Sequence, residues 1–307
     1  MITSIFNKSK PINFIIVFFI IAIACSISFF KIGNYAISFN NLLIVSVLFL
    51  FGYFSMLVLN FVSGKNNLTQ TNNFEIVLYA SFLLMVPQTT GSLKLLLANI
   101  FLLFSLRRLI SLRSQKSIKK KLFDAAFWIT LAAICYAWAS VFLILIPVAV
   151  FLYTDNKLRN WLIPLTAIVA VLLIAYCICF FANYELTSHF INGFEISFDF
   201  SVYNTPQFLV ALTLFFSFGL WSLLFYIKSI NLKKKSLRPA FYLIIWTVII
   251  SFLLLIIAPE KSGGEFLFVF APLAIIISSY IEVIREKWFK EVFFLVLLIV
   301  PVALLFL

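Results

Sequence analysis

Apolar runs separated by short polar breaks fill this chain from one end to the other. They fall near 12–30, 41–62, 74–87, 93–106, 122–138, 141–153, 161–182, 206–227, 239–258, 266–281 and 289–307. A helix needs about 20 apolar residues to cross a bilayer, and fewer where other helices shelter it. The pattern therefore predicts an all-α polytopic transmembrane bundle of about 11 spans in a single integral membrane domain, 1–307. The stretch 122–153, "LFDAAFWITLAAICYAWASVFLILIPVAVFLY", contains no polar loop. It is long for one helix and short for two full crossings.

Charge resolves that stretch. Cytoplasmic loops hold Lys and Arg, and this bias orients a membrane protein. With Lys8 and Lys10 inside, the cluster Arg107, Arg108, Arg113, Lys116, Lys119, Lys120 and Lys121 is inside too. Lys157 with Arg159, and Lys228, Lys233, Lys234, Lys235 with Arg238, stay inside only if 122–153 enters and returns. The stretch is thus expected to be a short helical hairpin turning near Trp138–Ser140. Of the 23 basic residues, only Lys31, Lys94 and Lys261 are then left outside. The basic loops 107–121 and 228–238 and the N-terminus become cytoplasmic, and the C-terminus lies outside.

The outer loops gather the acids. The loop 183–205, "NYELTSHFINGFEISFDFSVYNT", carries Glu185, His189, Glu195 and Asp199 with no basic residue, and 259–265 adds Glu260, Lys261 and Glu265. Alternation in "FEISFDFSV" predicts a short strand or interfacial segment rather than a helix. No ionisable residue falls near the middle of an assigned span, whereas ion-coupled transporters usually hold one at depth. Only eight glycines are present, with no GxxxG pair.

Composition agrees: 64% of residues are hydrophobic and 11% charged, with mean hydropathy +1.13. Soluble domains lie nearer a quarter charged. The net charge of +12 sits at the ends of apolar runs, as topology requires, so no nucleic-acid partner is implied and membrane lipids are the expected surroundings. The 39 Phe accompany abundant Ile, Asn and Lys, a codon-bias pattern rather than an aromatic site. Cys25, Cys135, Cys177 and Cys179 lie in apolar runs without CxxC spacing, which supports neither a disulfide framework nor a zinc site. "AIAC" at 22–25 has the look of a lipoprotein cleavage box, but the apolar run continues through Phe30, so an ordinary first span is expected.

No P-loop, GxGxxG, GxSxG or HExxH is present, and one histidine cannot build a multi-histidine metal site. There is no haem, flavin, nucleotide or non-haem-iron signal. Asp124 reads as a first-turn acid favoured by the helix dipole and by Lys121. The basic stretch 107–121 reads as a topology anchor that also attracts anionic headgroups. In "PEKSGGEFLFVFAPLA" the Gly-Gly pair permits a tight re-entering backbone, and Pro272 is placed to kink the following helix.

That segment, read on as "PEKSGGEFLFVFAPLAIIISSYIE", resembles the late segment of the GT-C class of lipid-linked-sugar glycosyltransferases, where a short outer loop ends in a charged cluster and a proline-bearing helix follows. "LAAICYAWASVFLILIPVAVFLY" is similar to their short helix pairs. The resemblance implies a GT-C-like layout, a polyprenyl-phosphate-linked sugar as partner, and a divalent metal as possible cofactor. It makes Glu260 and Glu185 the candidate base or metal ligand, Lys261 the candidate for the lipid phosphate, and Glu265, His189, Glu195 and Asp199 further candidates for substrate binding. The first outer loop, "KIGNYAISFN", departs from that class in lacking a carboxylate, and Glu265 stands where the class offers Arg. The whole chain more closely resembles a family of uncharacterised polytopic bacterial inner-membrane proteins, on "MITSIFNKSKPIN" and "APLAIIISSYIE". These are sometimes labelled beta-carotene monooxygenases, a label that one histidine does not fit.

Three roles follow. The first is a non-catalytic or accessory membrane subunit in envelope biogenesis, partnering an envelope protein complex. The alternative is a GT-C-like transferase or binding protein, and the third is a lipid or small-solute carrier.

Overall fold

The structure is a computed structural model that describes residues 2–153, 158–183, 186–259 and 261–306; the side chains of Leu186, Thr187, His189 and Asn192 lie outside that description. In chain order its helices are α1 Thr3–Phe6, α2 Pro11–Ser26, α3 Phe39–Asn66, α4 Phe74–Met85, α5 Leu93–Ile110, α6 Ile118–Cys135, α7 Leu145–Tyr153, α8 Leu158–Phe181, α9 Leu186–Gly193, α10 Pro206–Ile230, α11 Arg238–Ile257, α12 Leu267–Val283 and α13 Lys287–Leu304. Seven helical stretches are long and apolar enough to cross a membrane, while Phe74–Met85 and Ala137–Tyr153 are shorter. The chain is a multi-span, all-α membrane bundle. Every predicted apolar run is helical over most of its length.

Local chemistry explains the boundaries. Pro11 and Pro206 open α2 and α10, where the missing N–H is not needed. Ser38 caps α3 by accepting from Asn41 N at 3.3 Å, and Asn67 ends it in the left-handed conformation. α4 stops before Pro87, with Val86 turned out of the helical region. Pro164, Pro272 and Pro301 lie inside α8, α12 and α13, which membrane helices tolerate when neighbours re-satisfy the backbone. Hydroxyls within spans donate back to their own helix, as Ser26 does to Ala22 O (2.8 Å) and Ser251 to Thr247 O (2.7 Å).

The helices gather into two compact units. Unit 1 comprises Met1–Leu96, Asp199–Leu232 and Lys261–Leu307. Its centre is α4, all twelve residues of which are buried, packed by α2, α3, α12 and α13. α12 lies against both α4 and α10. Lipid tails are as apolar as Leu, so burial alone drives little association here; close packing and polar ties do the work, each tie contributing about 0.6–2 kcal/mol. The ties are Ser55 Oγ with Tyr79 Oη at 2.6 Å, Trp221 Nε1 donating to Tyr280 Oη at 2.7 Å, and Ser81 donating to the Leu297 carbonyl. Phe82, Phe215 and Phe270 interlock α4, α10 and α12, with ring centroids 5.2–5.8 Å apart.

The two ends of unit 1 are distinct. At one, Glu291 accepts from Ile2 N (2.9 Å) and Thr3 N (3.2 Å), Asn73 N donates to Phe6 O, and Glu282 accepts from Gln70 N. At the other, Lys31 donates to Leu305 O (2.9 Å), Gln207 to Met85 O (3.0 Å), and Tyr203 to Glu265 (3.3 Å). Within unit 1, α2, α4 and α13 therefore run from the first end to the second, and α3, α10 and α12 run the opposite way.

Unit 2 comprises Leu97–Phe198 and Lys233–Glu260. Its main contact is α6 on α8. Ala125, Ala126, Ala132 and Ala133 are buried on α6, and Ala167, Val171 and Ala175 recur four apart and buried on α8. Small residues let helix backbones approach closely, and here Ala rather than Gly supplies them. The stretch 122–153 leaves α6 at Tyr136, whose backbone is extended, and returns as a 3-10 helix, Ala137–Ile144, followed by α7. Gln115 Nε2 reaches Tyr153 O at 2.5 Å, so the hairpin ends where it began. Beside it, Arg108 pairs with Asp124 at 3.1 Å.

The stretch predicted as a loop at 183–205 has regular elements among its described residues. It contains the short helix α9, then residues 195–200 with no regular element, then a 3-10 turn Ser201–Tyr203. "FEISFDFSV" alternates as a strand would but forms none, having no edge to pair with among the described residues.

Candidate functional site

The polar stretch 261–265 folds around one carboxylate. Glu265, 2% exposed, accepts from Ser262 Oγ (2.9 Å) through Oε1. Through Oε2 it accepts from Gly263 N (2.9 Å) and Tyr203 Oη (3.3 Å). Gly263 has φ +86°, and a Cβ there would stand 2.5 Å from the Phe208 ring. Only glycine both adopts that backbone and leaves that space. Lys261, 5% exposed, holds Nζ 4.8 Å from the centroid of the Phe200 ring. Burial lowers its pKa from 10.5, against the opposing pull of Glu265.

Asp199 is exposed and accepts from Ser201 N at 2.9 Å, closing its own turn; that backbone N–H draws its pKa below the usual 3.8. Glu195 is exposed on the irregular stretch that follows α9. His189 lies on α9, its side chain outside the described set. Glu260 and Glu185 lie outside the described residues. Within unit 1 the fold thus brings together Lys261, Glu265 and the 199–203 turn. Among the described residues no group of three or more His, Cys, Asp or Glu is placed to hold a metal ion.

A second polar cluster, at the opposite end of unit 1, was not singled out from the sequence. Glu75, 1% exposed in the first turn of α4, accepts from the Ser63 and Thr69 hydroxyls. Glu282 accepts from Asn72 Nδ2 at 2.6 Å and Gln70 N at 2.8 Å. The available signal was a lone acid opening an apolar run, in "TNNFEIVLYASF".

Both units contain cavities, and one of about 480 Å³ in unit 1 is lined by Phe200, Ser201 and Tyr203. In unit 2 a groove of about 570 Å³ runs along α6, the 3-10 helix and α8, with Thr130, Ser140, Leu172, Tyr176, Phe190 and Phe194 in its wall. Its lining is almost wholly apolar. Trp138, 8% exposed, packs edge-on to Phe194, and its indole N–H has no partner among the described residues. In unit 1 a smaller cavity of about 370 Å³ is lined by Lys31, Gln88 and Gln207 together with apolar residues.

No known protein family matches the chain, and neither does any curated protein or solved structure.

Proposed function

We propose that this chain is a non-catalytic subunit of a bacterial inner-membrane assembly in envelope biogenesis, with the N-terminus cytoplasmic and the C-terminus periplasmic. The observation that carries this reading is the engagement of Glu265. A general base must reach the proton it removes, whereas this carboxylate is enclosed by donors from its own loop and Tyr203. Asp199 likewise serves its own turn. A further support is the apolar stretch outside the spans, where Ile196, Phe198 and Val202 are 49–67% exposed. Such surface marks a protein or membrane contact. Affinity purification from the native membrane in mild detergent is expected to recover a stoichiometric partner. A chain that emerges alone, where known complexes survive, counts against the proposal.

A second reading is favoured by the groove in unit 2: a GT-C-like protein that binds a polyprenyl-phosphate-linked sugar. An apolar channel beside a buried Trp138 N–H with no partner among the described residues suits a long hydrocarbon chain ending in a polar head. Independently of the groove, the GT-C resemblance makes Glu260 and Glu185 the candidate base or metal ligand and Lys261 the candidate for the phosphate. Mass spectrometry of the purified protein then finds retained polyprenyl phosphate, lost on Leu172→Trp. Equal retention by both forms removes this reading.

A further inference from the structure

The smaller cavity of unit 1 is built where four regular segments deform, begin or stop. α2 passes into a π-helix, Ile27–Ile32, and α4 is followed by the 3-10 helix Pro87–Thr90. α10 begins at Pro206, and α13 finishes at Leu304. Each of the four contributes lining residues. π-Helical turns are frequent at functional sites, and non-helical backbone at membrane depth is tolerated where it lines a cavity or is buried in protein. Here one helix departs from its pattern where two others end and a third begins.

The lining is amphipathic. Ile27, Ile32, Phe208, Leu304 and Leu305 form an apolar floor. Against it stand Lys31 and the amides of Gln88 and Gln207. The amides hold each other in place: Gln88 Nε2 donates to Gln207 Oε1 at 3.2 Å, and Gln207 Nε2 donates to Met85 O at 3.0 Å. Lys31 Nζ donates to a neutral acceptor, Leu305 O, at 2.9 Å. It has no ion pair among the described residues, and no carboxylate lines the cavity. A positive charge with fixed amides over an apolar floor is complementary to an anionic head carried on a hydrocarbon chain.

We propose that this cavity binds a phosphate group, with Lys31 as counter-charge, the Gln88–Gln207 pair as positioned hydrogen-bonding groups, and the apolar floor against any attached chain. The phosphate has two possible sources, a phospholipid headgroup and the free anion, and one experiment separates them. The full chain in uncharged detergent is titrated with phosphatidylglycerol, phosphatidylcholine or inorganic phosphate while its thermal midpoint is followed. Phosphatidylglycerol is expected to raise the midpoint of the wild type and of Lys31→Arg. Lys31→Gln is expected to need about tenfold more of it, the loss of one charge-assisted contact. Lys94→Gln, which removes an exposed lysine at the start of α5, should respond as wild type. Gln88→Leu leaves the charge intact and should also weaken the response, which keeps the test decisive if Lys31→Gln does not fold. A Lys31-dependent shift with inorganic phosphate alone assigns the site to the free anion; none, with phosphatidylglycerol active, assigns it to the lipid. Equal shifts with phosphatidylcholine, or an unchanged response in both Lys31→Gln and Gln88→Leu, overturn the proposal.

Discussion

Replacing Glu265 separates a structural carboxylate from a catalytic one. Its oxygens receive two backbone N–H groups, from Gly263 at 2.9 Å and Ser262 at 3.4 Å, and the hydroxyls of Ser262 and Tyr203. Gln keeps one carbonyl for the short Gly263 contact and places its NH2 near the Ser262 hydroxyl, which can rotate to accept. The long Ser262 N–H contact loses its acceptor and the other bonds survive without ionic character, at a cost of about 1–2 kcal/mol. Ala removes every acceptor. The hydroxyls can turn elsewhere, but the fixed Gly263 N–H is left buried and unsatisfied at about 1–3 kcal/mol, beside the space the side chain filled, so Glu265→Ala should cost about 3–5 kcal/mol. Thermal unfolding in detergent reads the order: wild type, then Gln, then Ala. A Glu265→Ala protein as stable as wild type would falsify the claim that this carboxylate holds the loop. A Glu265→Gln protein of normal stability that abolishes the cellular phenotype would instead assign it to chemistry.

Gly263→Ala should destabilise by about 2–4 kcal/mol through its positive φ and the 2.5 Å approach to Phe208, whereas Gly64→Ala, with nothing within 4 Å, should be neutral or gain up to about 1 kcal/mol; equal effects in a melting assay would contradict this. Lys261 predicts a pH slope. Its folded pKa is lowered, so the folded state binds fewer protons than the unfolded one, and stability should rise as pH climbs towards 10.5. Lys261→Met should flatten that rise, and a slope unaltered by the substitution would be inconsistent with it. Reporter tags at residues 190 and 230 should fall in opposite compartments; a shared compartment overturns the orientation.

The repeat of apolar runs located the helices because a bilayer forces each backbone to satisfy itself within one segment. Charge alone identified the hairpin at 122–153, whose return the Gln115–Tyr153 contact records. What remained hidden was local or long-range. α9 is short and sits inside polar sequence, so no span-length signal marks it. Glu265 read as one exposed acid among several, since its donor Tyr203 lies 62 residues away in the chain. Glu75 gave no mid-span signal because it sits in the first turn of its helix. The π-helix at Ile27–Ile32 continues an ordinary apolar run and has no compositional mark.

The burial of α4 on every side has a consequence for biosynthesis. At twelve residues it is about 18 Å long, too short to span the hydrocarbon core alone. Two of the helices that enclose it, α12 and α13, leave the ribosome nearly two hundred residues later. Until then a nascent chain carries a stunted helix with an acid in its first turn and half its sheath missing. Chains cut short before residue 261 should therefore be favoured prey for membrane quality-control proteases, while the finished protein shields the same segment completely.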